Sequence, residues 1–155
     1  MRFSHSFLPV CLLLSLSTPL HAAGGGIDKS VLLDQQAIQQ LVLRAEQASP
    51  REQCFLYTEL VSAMTEMAGK QMLDGDADDA SVTLKKVAEY AQLIHMNLAR
   101  DTKRLKNAEM LMHHTTYRLN EYLHSASTED KPTLKETLKQ LTQVQTELLT
   151  QVFNH

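Results

Sequence analysis

Cysteine is nearly absent from this 155-residue chain, which has only Cys11 and Cys54. Cys11 lies inside the N-terminal apolar stretch, so a chain that loses that stretch keeps Cys54 alone and cannot form an intrachain disulfide. Long apolar runs are missing too. Phe7 to Leu16 spans about ten residues, half of the roughly twenty that a membrane span needs, which argues against a permanent anchor. Basic residues are not in excess, with 15 Lys and Arg against 18 Asp and Glu, and this excludes the strongly basic face of a typical nucleic-acid partner. Aromatics make up 5% of the chain, too few for a large aromatic-lined pocket. The nucleophile elbow, the phosphate loop, the metalloprotease helix motif and the Cys-x-x-Cys-His of covalent haem attachment are all absent. The expectation is a protein without catalytic activity and without a resident cofactor.

The N-terminus itself is informative. Arg2, the apolar run and then Ser17-Thr18-Pro19-Leu20-His21-Ala22 have the three-part layout of a secretory signal peptide, with cleavage expected after Ala22. Cys11 sits within the run and not at its end, so cleavage exposes no lipoprotein-type cysteine. The reading is an exported protein, periplasmic in a Gram-negative cell and secreted otherwise. Without Arg2 the remaining chain has 14 bases against 18 acids. Ala23-Gly24-Gly25-Gly26 reads as a flexible tether, and residues 27–155 have the length of one domain.

Periodicity within that domain is helical. Val31, Ile38, Leu41, Val42 and Ala45 recur at helical steps among glutamines, predicting a first helix from about Ile27 to Ala48. Ser49-Pro50-Arg51-Glu52 is a helix start, with a Ser-x-x-Glu capping box and proline at the first helical position. The second helix carries Cys54, Tyr57, Leu60, Val61, Met64, Met67 and Ala68 and runs to about Leu73, where Asp74-Gly75-Asp76 stops it. The last turn is Ser127 to Pro132, with its cap open among Thr128, Asp130 and Thr133. A final helix follows, bearing Leu134, Leu138, Leu141, Val144, Leu148 and Val152.

Between these lies a seven-residue repeat that keeps its phase through Leu84, Val87, Ala91, Ile94, Leu98, Asp101, Leu105, Ala108, Met112, Thr115, Leu119 and Tyr122, uninterrupted by glycine or proline. It predicts one helix over 78–125, roughly 70 Å long at 1.5 Å per residue. The second helix would pack antiparallel on its first half and the last helix on its second half. Asp101, a carboxylate in the seam, marks the handover, a bend, or a break near Arg100 to Thr102 that would give a compact bundle of five helices. The expected fold is all-α, an antiparallel helical bundle of about four helices around one long central helix.

Candidate sites each have a plainer counterpart. Asp74, Asp76 and Asp78 resemble the start of an EF-hand calcium loop, but Asp79 and Lys85 stand where its glycine and closing glutamate belong; a helix stop and a dipole-favoured helix start account for them. Gly75-Asp76, Ala80, Leu84 and Val87 resemble a tetratricopeptide-type hairpin over about 34 residues from Val61, which implies a helical hairpin and a protein-binding role. Gln71 replaces that repeat's usual aromatic, and no second copy follows. Glu121 and His124 form one Glu-x-x-His, the di-iron bundle spacing, placed by the repeat on the solvent side.

His95, Met96, Met110, His113 and His114 are the candidate metal ligands, suited by type to copper, nickel or zinc in an exported helical protein. Met112 beside them belongs to the seam, and adjacent His113 and His114 diverge by about 100° on a helix. Leu141-Thr142-Gln143-Val144-Gln145 holds one Leu-Thr-x-x-Gln, similar to the motif that periplasmic stress-response chaperones carry twice. In a helix rich in Leu, Thr and Gln it also serves as amphipathic stripe. Cys54 falls on an apolar face and reads as an inert buried thiol. The functional expectation is a noncatalytic protein-binding, scaffold or chaperone-like role with a protein partner or self-association, the alternative being a metal-binding helical protein.

Overall fold

The computed structural model describes residues 29–96, 98 and 102–154, with side chains from Asp34 onward. The expected signal peptide over 1–22, the expected glycine tether over 23–26, the Val31 side chain and Asp101 lie outside the described residues. Within them the chain is all-α, with helices α1 (Lys29–Gln47), α2 (Pro50–Asp74), α3 (Ala77–Met96), α4 (Leu105–Ser125) and α5 (Lys131–Asn154).

The local signals at three helix ends act much as their chemistry dictates. Pro50 opens α2, and Gly75 closes it in the left-handed region at φ 87° and ψ 10°. The Asp76 N–H reaches the Gln71 carbonyl at 2.8 Å and the Gly75 N–H reaches that of Met72 at 3.2 Å, the paired bonds of a Schellman stop. Asp78 and Asp79 then occupy the first turn of α3. Asp130 directly precedes α5, tied by the Ser127 hydroxyl, which donates to its carboxylate at 2.6 Å. The capping box at Ser49 differs from expectation. Its hydroxyl donates to the Glu52 carboxylate at 3.0 Å and no side chain caps the backbone there; the Glu52 N–H instead finds the Ser49 carbonyl at 2.8 Å.

The single long central helix is corrected by the structure. α3 ends at Met96, α4 starts at Leu105, and Arg104 between them takes the left-handed conformation at φ 59° and ψ 29°. The Lys103 N–H donates to the Arg51 carbonyl at 2.8 Å, tying the junction to the start of α2. The physical reason is coverage. A 25-residue α2 is about 38 Å long and a roughly 70 Å rod would outrun it. A break where the seam offers a carboxylate forfeits little burial and folds both halves of the stripe onto one core. The seam phase survives: Leu84, Val87, Ala91 and Ile94 are buried on α3, and Leu105, Ala108, Met112, Thr115 and Leu119 on α4.

The packing follows. α2 pairs with α3 and α4 with α5, as antiparallel hairpins, and the hairpins lie side by side because α2 also packs on α4 and α3 on α5. Contacts of Arg51 with Lys103 and of Glu66 with Arg118 show α2 and α4 running parallel; those of Ala88 with Gln140 and His95 with Glu147 show the same for α3 and α5. The buried residues Cys54, Val61, Thr65 and Ala68 of α2 are matched at a constant offset by Leu105, Met112, Thr116 and Leu119 of α4, so each hairpin presents the same stripe to the shared core. Among the described helices α1 packs on α2, burying Ala45 and half-burying Ile38, Leu41 and Val42.

Six threonines share this core, among them Thr58, Thr65, Thr115 and Thr137, whose hydroxyls donate to the carbonyls of Cys54, Val61, Leu111 and Thr133. Back-bonding one turn up the helix satisfies each hydroxyl without a partner across the core. Among the described residues no buried side-chain nitrogen or oxygen lacks a hydrogen bond, and no helix is long and apolar enough to cross a membrane.

Candidate functional site

Exposed large apolar side chains occur singly or in pairs on α1 to α3, as Leu43, Leu73, Val82 and Met96, whereas α4 and α5 carry four between them. Met110 and Tyr117 are each 60% exposed, Leu149 is 40% exposed and Phe153 is 81% exposed. Met110 and Tyr117 are seven residues apart and share one side of α4, turned away from the buried seam. Leu149 and Phe153 share one side of α5 in the same way, four residues apart.

Contacts of Gln145 fix how these two sides meet. Its Nε2 lies 2.8 Å from His113 Nδ1, and its Oε1 accepts from the Thr116 hydroxyl at 2.9 Å. In an antiparallel pair, one turn back from His113 on α4 and one turn on from Gln145 on α5 puts Met110 level with Leu149, with Phe153 a turn further along. The shallow groove between the two helices has an amide–imidazole–hydroxyl network at its centre and exposed apolar side chains on the outer sides of the helices that form it, suited to contact but holding no converging acid, base and nucleophile.

The metal candidates are dispersed. His95 Nδ1 lies 2.6 Å from Glu147 on the α3 side of α5, whereas His113 meets Gln145 on the α4 side. Met96 is an exposed residue at the end of α3, Met110 is exposed on the outer side of α4, and His114 is likewise exposed on α4. Among the described residues no group of three or more His, Cys, Asp or Glu is placed to hold an ion. Glu121 and His124 both face solvent, as the repeat predicts: Arg118 holds Glu121 at 2.7 Å, and His124 Nδ1 lies 2.6 Å from the Asn120 carbonyl. Asp74, Asp76, Asp78 and Asp79 are exposed around the α2–α3 stop. In the Leu-Thr-x-x-Gln segment, Leu141 and Val144 are core residues and Thr142 is exposed, donating to the Leu138 carbonyl.

A denser polar cluster joins α2 to α4. The Arg118 guanidinium donates to both Glu66 oxygens, at 3.0 and 3.2 Å, and to the Tyr122 oxygen at 2.7 Å; the Tyr122 hydroxyl donates to Glu66 at 2.6 Å. The bonds from Arg118 hold the Glu66 carboxyl below its ordinary range. Burial, reinforced by the bond to Glu66, pushes the Tyr122 phenol up to about 12. The ring lies flat against Gly69, where an added Cβ would come within 2.2 Å of Tyr122 Cζ. Its donors are turned to Glu66, to Tyr122 and, one turn along α4, to Glu121, so it reads as a clasp between the hairpins. Cys54 is fully buried, and burial pushes its thiol up to about 12, so it stays protonated and inert at neutral pH.

Sequence reasoning singled out Met110 and His113 but passed over Tyr117, Leu149 and Phe153. A signal for them exists: they are large apolar residues placed off the buried stripe of helices whose stripes are already complete. No protein-family model, no curated protein and no solved structure matches the chain.

Proposed function

We propose that this chain is an exported, noncatalytic helical protein that binds another polypeptide along the outer groove of α4 and α5. One observation carries the reading: Met110 and Tyr117 of α4 and Leu149 and Phe153 of α5 are exposed on the outer sides of two adjacent helices. Single exposed apolar residues need no explanation, whereas several grouped on neighbouring helices suit an interaction surface. Aromatic and Met side chains are the types enriched at such contacts, and Gln145 and His113 supply the polar element beside them. Export is supported by the signal-peptide layout of residues 1–22.

The test places a photo-crosslinking amino acid at Tyr117 in the producing cell and identifies adducts by mass spectrometry. Repeatable adducts to one or a few proteins are expected, reduced strongly by Met110→Glu with Phe153→Glu. The same probe at Lys85, on the exposed side of α3, serves as the reference. Adducts at Tyr117 no more repeatable than at Lys85 would sink the reading.

A further inference from the structure

The end of the bundle where α1 stops, α2 and α4 start and α3 stops holds a feature that a polypeptide groove on α4 and α5 does not use. Arg44 from α1, Lys103 and Arg104 from the α3–α4 junction and Glu52 from α2 surround a cleft of about 250 Å³ whose apolar wall is Phe55 and Leu56. Three cations therefore meet one carboxylate, in a chain whose overall charge is negative. Glu52 is already engaged by the Ser49 hydroxyl at 3.0 Å and by Lys103 at 3.5 Å, and these partners, Ser49 foremost, hold its carboxyl below the usual range. Among the described residues neither Arg44 nor Arg104 pairs with a carboxylate.

Arg104 is also held in an unusual way. It is the one described non-glycine residue with positive φ, at 59°, a conformation that L side chains rarely adopt. Its guanidinium carbon lies 3.5 Å from the centroid of the Phe55 ring. Stacked this way, the planar group keeps its N–H edge free for a bidentate acceptor. Backbone tension kept at a residue so placed is the pattern of a binding position.

We infer that this cleft binds a phosphate group, Arg104 and Arg44 gripping the oxygens and Lys103 adding charge, while Phe55 and Leu56 accommodate the carbon skeleton of an ester. A free phosphate monoester and the headgroup of an anionic lipid share this chemistry, and the two sources are told apart by the probe that binds.

The experiment titrates the purified chain with inorganic phosphate and glycerol 3-phosphate by calorimetry, and by co-sedimentation with phosphatidylcholine vesicles with and without phosphatidylglycerol. Saturable binding that weakens with added salt is expected for at least one probe. Arg44→Gln combined with Arg104→Asn, asparagine being tolerant of positive φ, should weaken it about tenfold or more. Lys85→Gln combined with Lys86→Gln removes the same charge from α3 and should leave binding unchanged. Binding of the soluble probes assigns the site to free phosphates; binding of the anionic vesicles alone assigns it to lipid headgroups. No binding of any probe, or equal weakening by the two charge-matched pairs, overturns the inference. If the double variant melts early, Arg44→Gln alone, on the exposed surface of α1, takes its place: it should weaken binding more than Lys85→Gln alone, and equal effects overturn the inference.

Discussion

The two ends of the bundle are built in opposite ways. At one, α2 turns into α3 and α4 into α5 through short connections bordered by Asp74, Asp76, Asp78, Asp79, Glu129 and Asp130. There the hairpins are clasped by Tyr122 lying on Gly69 and by the Glu66–Arg118 bonds. At the other, the longer α3–α4 junction is tied to α2 by the Lys103-to-Arg51 backbone bond, the Lys103–Glu52 ion pair and the Arg104–Phe55 stack, and cations outnumber acids in an open cleft. Among the described residues each end contains one left-handed residue. At the acidic end it is Gly75, where the conformation costs nothing; at the basic end it is Arg104, where it costs something. The difference separates an end shaped for closure from an end that keeps side-chain chemistry in spite of its backbone.

The sharpest way to break the closed end is Gly69→Leu. The side chain would enter the space of the Tyr122 ring, and the ring can clear it only by leaving Glu66 and Arg118. Overpacking of this kind should cost about 2–3 kcal/mol in a urea unfolding series. In a Tyr122→Ala background the same substitution should cost less than about 1 kcal/mol, since the obstruction is gone. Equal costs in both backgrounds would show that the clasp is not what holds α2 against α4.

A smaller effect is expected at Gly75. An added Cβ there would touch nothing within 4 Å, so Gly75→Ala isolates the backbone term at φ 87°. It should destabilise by about 1 kcal/mol, read as a lower thermal midpoint, and Gly75→Asn by less. Unchanged stability in the alanine variant would mean that the Schellman stop is not required to set the α2–α3 turn.

The closed end was also the end legible in the sequence. Gly75 between two aspartates and the Ser127 to Pro132 turn announce its two connections through local chemistry that needs no tertiary information, and at the open end only Pro50 does the same. The seam residues were legible for the same reason, because a seven-residue period reports which side of a helix is apolar. What the period does not report is whether the apolar side continues along a line or folds back. Residues 97–104 contain neither glycine nor proline, and the only mark of the break was Asp101 in a seam position.

Arg104 carries no signature of a left-handed residue; its conformation follows from the route the chain takes after α2 has been placed. The phosphate cleft was hidden likewise, since Arg44, Phe55 and Arg104 come together only once α1, α2 and the junction are assembled. The groove on α4 and α5 was half legible. Met110 and His113 were noticed as metal-ligand types, whereas Tyr117, Leu149 and Phe153 gain their meaning from the antiparallel pairing that Gln145 reports.

The smallest stability effect, and the one that bears most directly on the contrast between the ends, is expected for Arg104→Gly. Glycine removes the left-handed penalty of about 1–2 kcal/mol, but the extra freedom it gives the unfolded chain takes back roughly 0.4–1 kcal/mol. The lost stack on Phe55 takes back roughly another 0.5–1 kcal/mol. The terms nearly cancel at their centres, so the urea midpoint should shift by the equivalent of no more than about 1 kcal/mol in either direction. A loss above about 1.5 kcal/mol would place Arg104 among the structural residues, as firmly as Gly69. A near-zero change together with lost phosphate binding would instead show that the arginine is kept at a strained position for what its guanidinium holds, the relation opposite to that of Gly75.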